Sequence, residues 1–206
     1  DAAVAACFAI GVVEPTSSGI GGGGYLVYQM GEKGGVIGFP MRGPLLAQPD
    51  MYKLTGEQAV GGFGWPGVEG HENIEGYRSI ATPGAVAGLC AAHKLHGQLP
   101  LSEVLAPSVS LARDGFAPTW FNVHASGLEA GKLLRYSELR KVFMPDEKMP
   151  RGDPANPARF CQPDLADVLE TIGRDGPEAF YSGDVALAIV SDIQGNGGIL
   201  SEKDLT

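Results

Sequence analysis

Five of the six residues from position 19 to position 24 are glycines, and their spacing could serve ligand binding. Gly19, Gly21 and Gly24 have the Gly-x-Gly-x-x-Gly spacing that lets a backbone approach the pyrophosphate of a dinucleotide. That use requires a strand before the glycines and a helix after them. Here an apolar, helix-like segment precedes the glycines and a strand-like segment follows. An NAD- or FAD-binding oxidoreductase is therefore disfavoured, and no cofactor is expected.

The same residues lack the lysine and hydroxyl pair that a nucleoside triphosphate site places after its glycines. We interpret Gly19, Gly21, Gly22, Gly23 and Gly24 as a backbone passage. Glycine permits backbone conformations and close approaches that a side chain would prevent, so close packing or close approach of a substrate are the two uses that remain.

The other residues that could act as nucleophiles or metal ligands do not form a recognisable motif. Ser17 and Ser18 lack the Gly-x-Ser-x-Gly context of a nucleophile elbow. His93 and His96 share a helix face but have no third ligand nearby in sequence, so no metal site is expected and the histidines are interpreted as surface residues. The cysteines are scattered and odd in number, which favours buried free thiols over disulfides. The histidines are His71, His93, His96 and His124, and the cysteines are Cys7, Cys90 and Cys161.

Arg42 is the candidate substrate-binding residue. It follows a predicted strand and opens a long loop, in the stretch Phe-Pro-Met-Arg-Gly-Pro at 39–44. An arginine at such a position is commonly solvated. Its planar guanidinium is equally suited to bind a carboxylate through two parallel hydrogen bonds.

The composition is that of an ordinary globular protein. Of the 206 residues, 44% are hydrophobic and 19% are charged, which suffices for one substantial core. The formal net charge of −9 and the lack of a basic stripe argue against nucleic-acid binding. No segment is long and apolar enough to span a membrane.

The glycines are placed by the elements on either side of them. Residues 1–13 are apolar on every side and predict a helix buried all round, ended by Glu14-Pro15. Residues 25–28 and 36–39 predict a hairpin around a glycine-containing turn. Residues 40–78 have little periodicity and predict a functional loop.

The second half of the chain reads as helical. Thr82 and Pro83 are a predicted N-cap and first helical residue, and this helix should run to His96 with Gly97 as its C-cap. Apolar periodicity predicts two amphipathic helices, at 163–174 and 184–194. Two further segments are a helix at 102–113 that Pro107 could break, and a polar region at 118–157 with helical patches around 128–139.

Both ends of the sequence fall within predicted elements. Asp1 opens in the middle of an apolar helix, and Ser201 and Asp204 have the spacing of a capping box at the other end. We therefore expect the sequence to be an interior piece of a longer protein.

Nine stretches in order along the chain resemble the large subunit of the γ-glutamyltranspeptidase family, whose members are N-terminal-nucleophile hydrolases. Together they extend over nearly the whole chain. They are DAAVAA at 1–6, GVVEP at 11–15, SSGIGGGG at 17–24, PDMY at 49–52, TPGAVAG at 82–88, LARDGF at 111–116, QPDLA at 162–166, GPEAFYSG at 176–183 and GGILSEKDL at 197–205.

The resemblance implies an α+β fold, a four-layer αββα sandwich of which this chain supplies part. Residues 1–206 would be a single partial domain, with the helical portion from about 82 to 206. A self-cleaving precursor would yield a large and a small subunit. The nucleophile would be the N-terminal threonine of the small subunit, so no catalytic residue is expected in this chain, and Thr206 falls in a helix start of the large subunit instead.

By this resemblance, the partners are the small subunit of the same precursor and a small-molecule amide or γ-glutamyl substrate, as in glutathione metabolism. The family grips the substrate α-carboxylate with an arginine in a motif resembling Arg-Glu-x-Ala-Pro. Aligned on Pro44, the position of that arginine is occupied by Pro40 and the position of the glutamate by Met41.

Arg42 would be a clamp displaced by two residues, or about 6–7 Å along a strand. Two alternatives stay open on the sequence: an acylase for another amide, such as a glutaryl-type amide, and a non-catalytic binding homologue.

Overall fold

The structure is a computed structural model that describes residues 1–57, 64–145, 148 and 159–206. Its helices in chain order are α1 (Ala2–Val13), α2 (Ala85–His96), α3 (Leu101–Arg113), α4 (Trp120–Leu128), α5 (Ala130–Arg135), α6 (Ser137–Phe143), α7 (Pro163–Asp175), α8 (Glu178–Tyr181), α9 (Asp184–Gly195) and α10 (Glu202–Leu205). The strands are β1 (Gly24–Met30) and β2 (Lys33–Phe39). Two single 3₁₀ turns lie at Glu69–His71, within the predicted long loop, and at Tyr77–Ser79, at its end.

Helix α1 is confirmed, but it is not buried all round. Val4, Phe8 and Val12 lie one turn apart and face the core, and Gly11 beside them is also buried. Ile10 is 48% exposed on the opposite side. The prediction was wrong on this point because no described residue of this chain covers the second apolar face.

Strands β1 and β2 form the predicted hairpin, paired antiparallel from Gly24 opposite Phe39 to Met30 opposite Lys33. The connection is shorter than the sequence indicated, because Gly31 has a φ of 62° and turns the chain within two residues. Leu26 and Ile37 pack against the core from one face of the hairpin. The other face is apolar and exposed.

The main core lies where α1, α2, α3 and α7 meet the inner face of the hairpin. Leu105 of α3 and Leu169 and Ile172 of α7 are completely buried. Helix α3 runs unbroken through Pro107. A proline inside a helix costs about 3 kcal/mol, and burial of the α3 face on both sides of Pro107 offsets that cost. The predicted helix is confirmed, and the break that Pro107 could have caused is absent.

The amphipathic helices α7 and α9 are confirmed. In α9, Ala186, Val190 and Ile193 form the buried stripe, and they join Leu200 and Leu205 in a second, smaller core. The capping box at Ser201 and Asp204 is also present at the start of α10. These elements were predictable because their signals are local.

Two expectations for the connecting regions need correction. Helix α2 begins after Gly84 rather than Thr82, because the backbone of Thr82 is extended and bridges to Arg42. The region after residue 118 is more helical than expected, since it contains α4 to α6, and Thr119 caps α4. The part of that prediction at 146–147 and 149–158 lies outside the described residues.

The tightest packing in the hairpin region surrounds the end of β2. A Cβ atom added to Gly23 would lie 2.5 Å from the Met41 nitrogen and 2.6 Å from the Phe39 oxygen, both backbone atoms that cannot move aside alone. A Cβ at Gly88 would meet the ring of Phe39. The glycine passage and α2 therefore pack closely against the end of β2 from two sides.

We expect Gly23→Ala to lower the free energy of unfolding by about 1–3 kcal/mol, because the added methyl group forces backbone apart. Chemical denaturation of the full-length protein measures this change. Gly21→Ala is the matched control, since a Cβ there has no atom within 4 Å. Equal stability of the two variants would show that the passage is not tightly packed at Gly23.

Candidate functional site

The glycine passage connects α1 to β1 and also caps α2. The carbonyl of Gly22 accepts hydrogen bonds from the N–H groups of Gly84 (2.9 Å) and Ala85 (3.0 Å). These are donors at the N-terminus of α2, the groups that a phosphate would otherwise bind. The passage thus occupies a helix N-terminus with its own backbone, which agrees with the interpretation as packing.

Tyr181 of α8 completes this cap from the other side. Its hydroxyl accepts a hydrogen bond from the Ala87 N–H (3.1 Å) and donates one to the Pro83 carbonyl (3.0 Å). Burial raises the pKa of the Tyr181 phenol, only partly countered by the Ala87 hydrogen bond, so the hydroxyl keeps the proton that it donates. The segment before α2 is thereby held at both ends.

Arg42 is held against that segment by its backbone. Its N–H donates to the Thr82 carbonyl (3.2 Å) and its carbonyl accepts from the Thr82 N–H (2.8 Å). The side chain is exposed, and no ion pair to it is present among the described residues. The guanidinium is available to an anion.

An open cleft of about 830 Å³ lies beside Arg42. Its walls come from the end of β2, the first turns of α2, helix α8 and the last residues of the chain. Pro40 and Arg42 both border it, as do Tyr181, Asp204 and Thr206. The position that aligns with the family's arginine and the arginine actually present thus face one cleft.

The carboxylate of Asp204 ties α10 to the loop that follows Arg42. One oxygen accepts the Leu45 N–H at 2.6 Å, and the other accepts the N–H and hydroxyl of Ser201, each at 2.7 Å. Burial alone would raise the pKa of Asp204, but these hydrogen bonds outweigh it and hold the pKa below its usual value. Asp204 is therefore an ionised carboxylate, and both of its oxygens accept hydrogen bonds.

The histidines do not all lie on the surface as expected. His71 and His124 are exposed. His93 is half-buried, with Nε2 2.9 Å from the Leu99 carbonyl. The ring of His96 packs against that of Tyr28 at a tilt of 56°, with ring centroids 4.4 Å apart. That expectation was wrong for His93 and His96 because the α2–α3 connection and β1 cover them. Within the described ranges, no three His, Cys, Asp or Glu side chains are grouped for a metal.

The expectation of buried thiols holds for one cysteine. Cys90 is buried in α2, and burial, together with the charge of Glu178, raises the pKa of its thiol to about 11. Cys7 and Cys161 are exposed, so the expectation was wrong for them.

None of the described helices has the length and apolar character to cross a bilayer.

Sequence reasoning missed Tyr181 and the cap that Gly22 provides. Both act on residues far away in sequence: Tyr181 lies 94 positions from Ala87 and 98 from Pro83. No local pattern encodes such a contact. The presence of Tyr181 in a stretch shared with a known family was the one available signal.

Known proteins match this chain over its whole length. The sequence model of the family described as gamma-glutamyltranspeptidase matches residues 1–206. Glutathione hydrolase 3 of Arabidopsis thaliana is 36% identical over 208 residues, covering 100% of this chain and 30% of that protein. Acylase ACY 1 proenzyme of Pseudomonas sp. (strain V22) is 35% identical, covering 100% of this chain and 36% of that protein.

A solved structure shares the fold. The crystal structure of Helicobacter pylori gamma-glutamyltranspeptidase matches with a TM-score of 0.85 and 32% identity, covering 98% of this chain and 55% of that one. This fold, together with the family model over the whole chain, places the chain in the N-terminal-nucleophile hydrolase superfamily. The chain belongs to the γ-glutamyltranspeptidase family, as the nine sequence stretches indicated. It spans about a third of the length of the two curated relatives.

We expect Tyr181→Phe to destabilise the protein by about 1–2 kcal/mol, because it leaves the Pro83 carbonyl and the Ala87 N–H without their partner. Thermal and chemical denaturation of the full-length protein measure the loss. Tyr136→Phe removes a hydroxyl that makes no such pair of bonds in the described part of the chain, and it should change stability by less than about 0.5 kcal/mol. Equal effects of the two changes would contradict the capping role of Tyr181.

Proposed function

We propose that this chain is the large-subunit part of a γ-glutamyltranspeptidase-like enzyme that transfers or hydrolyses an acyl group held in an amide bond. The observation that carries the proposal is the family match over residues 1–206. Two of its relatives are named glutathione hydrolase and acylase proenzyme. Both names support reaction at an amide bond, and the word proenzyme supports a processed precursor.

The nucleophile in this proposal is the N-terminal threonine of a small subunit from the same precursor. A threonine hydroxyl is a poor nucleophile, and the adjacent α-amine, with a pKa of about 8, can accept its proton. The oxygen attacks the amide carbon, backbone N–H groups stabilise the oxyanion, and the amine leaves. Water or an acceptor amine then releases the acyl group from the threonine.

This chain contributes the binding of the substrate carboxylate. Arg42 borders the open cleft, and its guanidinium has no carboxylate partner among the described residues. Two hydrogen bonds to Thr82 fix its backbone. A fixed backbone with a free planar guanidinium is suited to bidentate binding of a carboxylate. Arg42 would thus replace the arginine that the family has two residues earlier.

The four-layer sandwich is also part of the proposal. In such a fold each sheet is covered by helices on one face and by a second sheet on the other. The outer face of the hairpin is apolar and open, with Tyr25 70%, Val27 76% and Val36 61% exposed. Exposed apolar residues in a contiguous patch indicate an interaction surface. The small subunit would cover this face.

A second candidate is an acylase for amides that lack the α-amine of a γ-glutamyl group. Met41 occupies the place of the family's glutamate and is 55% exposed, and Leu45 and Leu46 near Arg42 are also exposed. A methionine at this position has no charge with which to bind the α-amine of a γ-glutamyl group. The relative named acylase, at 35% identity over the whole chain, points the same way.

Four anilides separate the candidates and test Arg42. The γ-glutamyl anilide carries a carboxylate and an amine, the glutaryl anilide only the carboxylate, the 4-aminobutyryl anilide only the amine, and the butyryl anilide neither. We expect Arg42→Ala to lower kcat/KM about 100-fold for the first two and less than threefold for the others, because only the first two lose a charge-assisted pair.

Release of aniline by the processed full-length enzyme is the measurement, with Arg140→Ala on α6 as the control for loss of one exposed arginine. A wild-type preference for the glutaryl over the γ-glutamyl anilide would favour the acylase candidate. Equal losses for all four anilides in Arg42→Ala would reject the carboxylate clamp. Wild-type enzyme inactive on all of them would reject the proposed function.

A further inference from the structure

The loop that carries Arg42 has a second attachment point besides Thr82. The Leu45 N–H donates to Oδ1 of Asp204 at 2.6 Å, a contact between residues 159 positions apart. No other hydrogen bond joins residues 43–47 to a distant part of the chain in the described ranges. Gly43 lies between the two attachment points, and nothing is within 4 Å of where its Cβ would be.

The bond to Leu45 is not needed for the helix cap that Asp204 provides. Oδ2 alone receives both hydrogen bonds from Ser201, at 2.7 Å each. Oδ1 is left for Leu45. One carboxylate therefore serves two separate structural tasks, the start of α10 through one oxygen and the fixed loop through the other.

The same geometry leaves Arg42 unpaired. Asp204 and Arg42 border one cleft, yet no ion pair joins them within 4.0 Å in the described part of the chain. Both oxygens of Asp204 are already occupied by N–H and O–H donors. An acidic residue beside a substrate-binding arginine would otherwise compete with the substrate carboxylate for the guanidinium.

We propose that Asp204 is a positioning residue for Arg42: it holds the 43–45 segment through the Leu45 N–H, and with Thr82 it fixes the arginine at the cleft. This inference rests on the proposed role of Arg42 in binding a substrate carboxylate. A positioning role predicts a higher KM for carboxylate-bearing substrates with little change in kcat, because the reacting groups lie on the other subunit.

The alternative is that Asp204 only caps α10. Two matched variants separate the two roles. Ser201→Ala removes the hydroxyl from the cap and leaves the bond to Leu45 in place. Leu45→Pro removes the N–H donor and leaves the cap in place, and proline suits this position because residues 44–47 form a turn closed by the Ala47 N–H and the Pro44 carbonyl.

The experiment measures KM and kcat of the processed full-length enzyme with glutaryl anilide and butyryl anilide. For Asp204→Ala and for Leu45→Pro we expect KM for glutaryl anilide to rise about tenfold, with KM for butyryl anilide and both kcat values within about threefold. Ser201→Ala should leave both KM values within about twofold.

The double variant Arg42→Ala with Asp204→Ala should have the same KM for glutaryl anilide as Arg42→Ala alone, because Asp204 acts through Arg42. A normal KM in Leu45→Pro, or equal KM changes in Ser201→Ala and Asp204→Ala, would overturn the positioning role while the role of Arg42 stands. If Arg42→Ala itself has a normal KM for glutaryl anilide, the clamp fails and the positioning role fails with it. If Asp204→Ala does not fold, Leu45→Pro gives the decision.

Discussion

The arrangement of the site depends on one close approach of backbone segments at the end of β2. Phe39 and Pro40 pass between the glycine passage and the first turns of α2, where Gly23, Gly84 and Gly88 leave no room for a side chain. At the same place the Gly22 carbonyl caps α2. The chain leaves this point as an extended segment that pairs with Thr82 and presents Arg42 to the cleft. Hence the glycines help to position the arginine through the backbone segments that they allow to approach each other.

Close backbone packing at the end of β2 explains why so many glycines occur between residues 19 and 24, which their spacing alone did not explain. The match to a dinucleotide-binding pattern reflects a shared need for backbone without side chains. In this fold the need comes from strand, helix and passage meeting within van der Waals distance. The helix N-terminus that could bind a phosphate is filled by protein carbonyl and hydroxyl groups, from Gly22 and Tyr181.

The sequence predicted those parts of the fold that depend on neighbours along the chain. Helices α7 and α9 follow from apolar periodicity, and α1 follows from a continuous apolar segment that ends at Glu14-Pro15. The hairpin follows from its glycine turn, and the start of α10 from the spacing of Ser201 and Asp204. The N-cap of α2 was misplaced, since Thr82 has the residue type of a cap but its backbone is taken by Arg42. Likewise the second bond of Asp204, to Leu45, depends on a loop 159 residues away and has no local signal.

In the proposed enzyme, this chain supplies the scaffold and the binding of the substrate carboxylate, while the nucleophile belongs to a second chain made by self-cleavage. Mass spectrometry of the intact, purified full-length protein, with N-terminal sequencing of each fragment, tests that claim most directly. We expect two fragments: a larger one that contains residues 1–206, and a smaller one that begins with threonine. A single uncut polypeptide, or a second fragment that begins with a residue other than Thr, Ser or Cys, would contradict it.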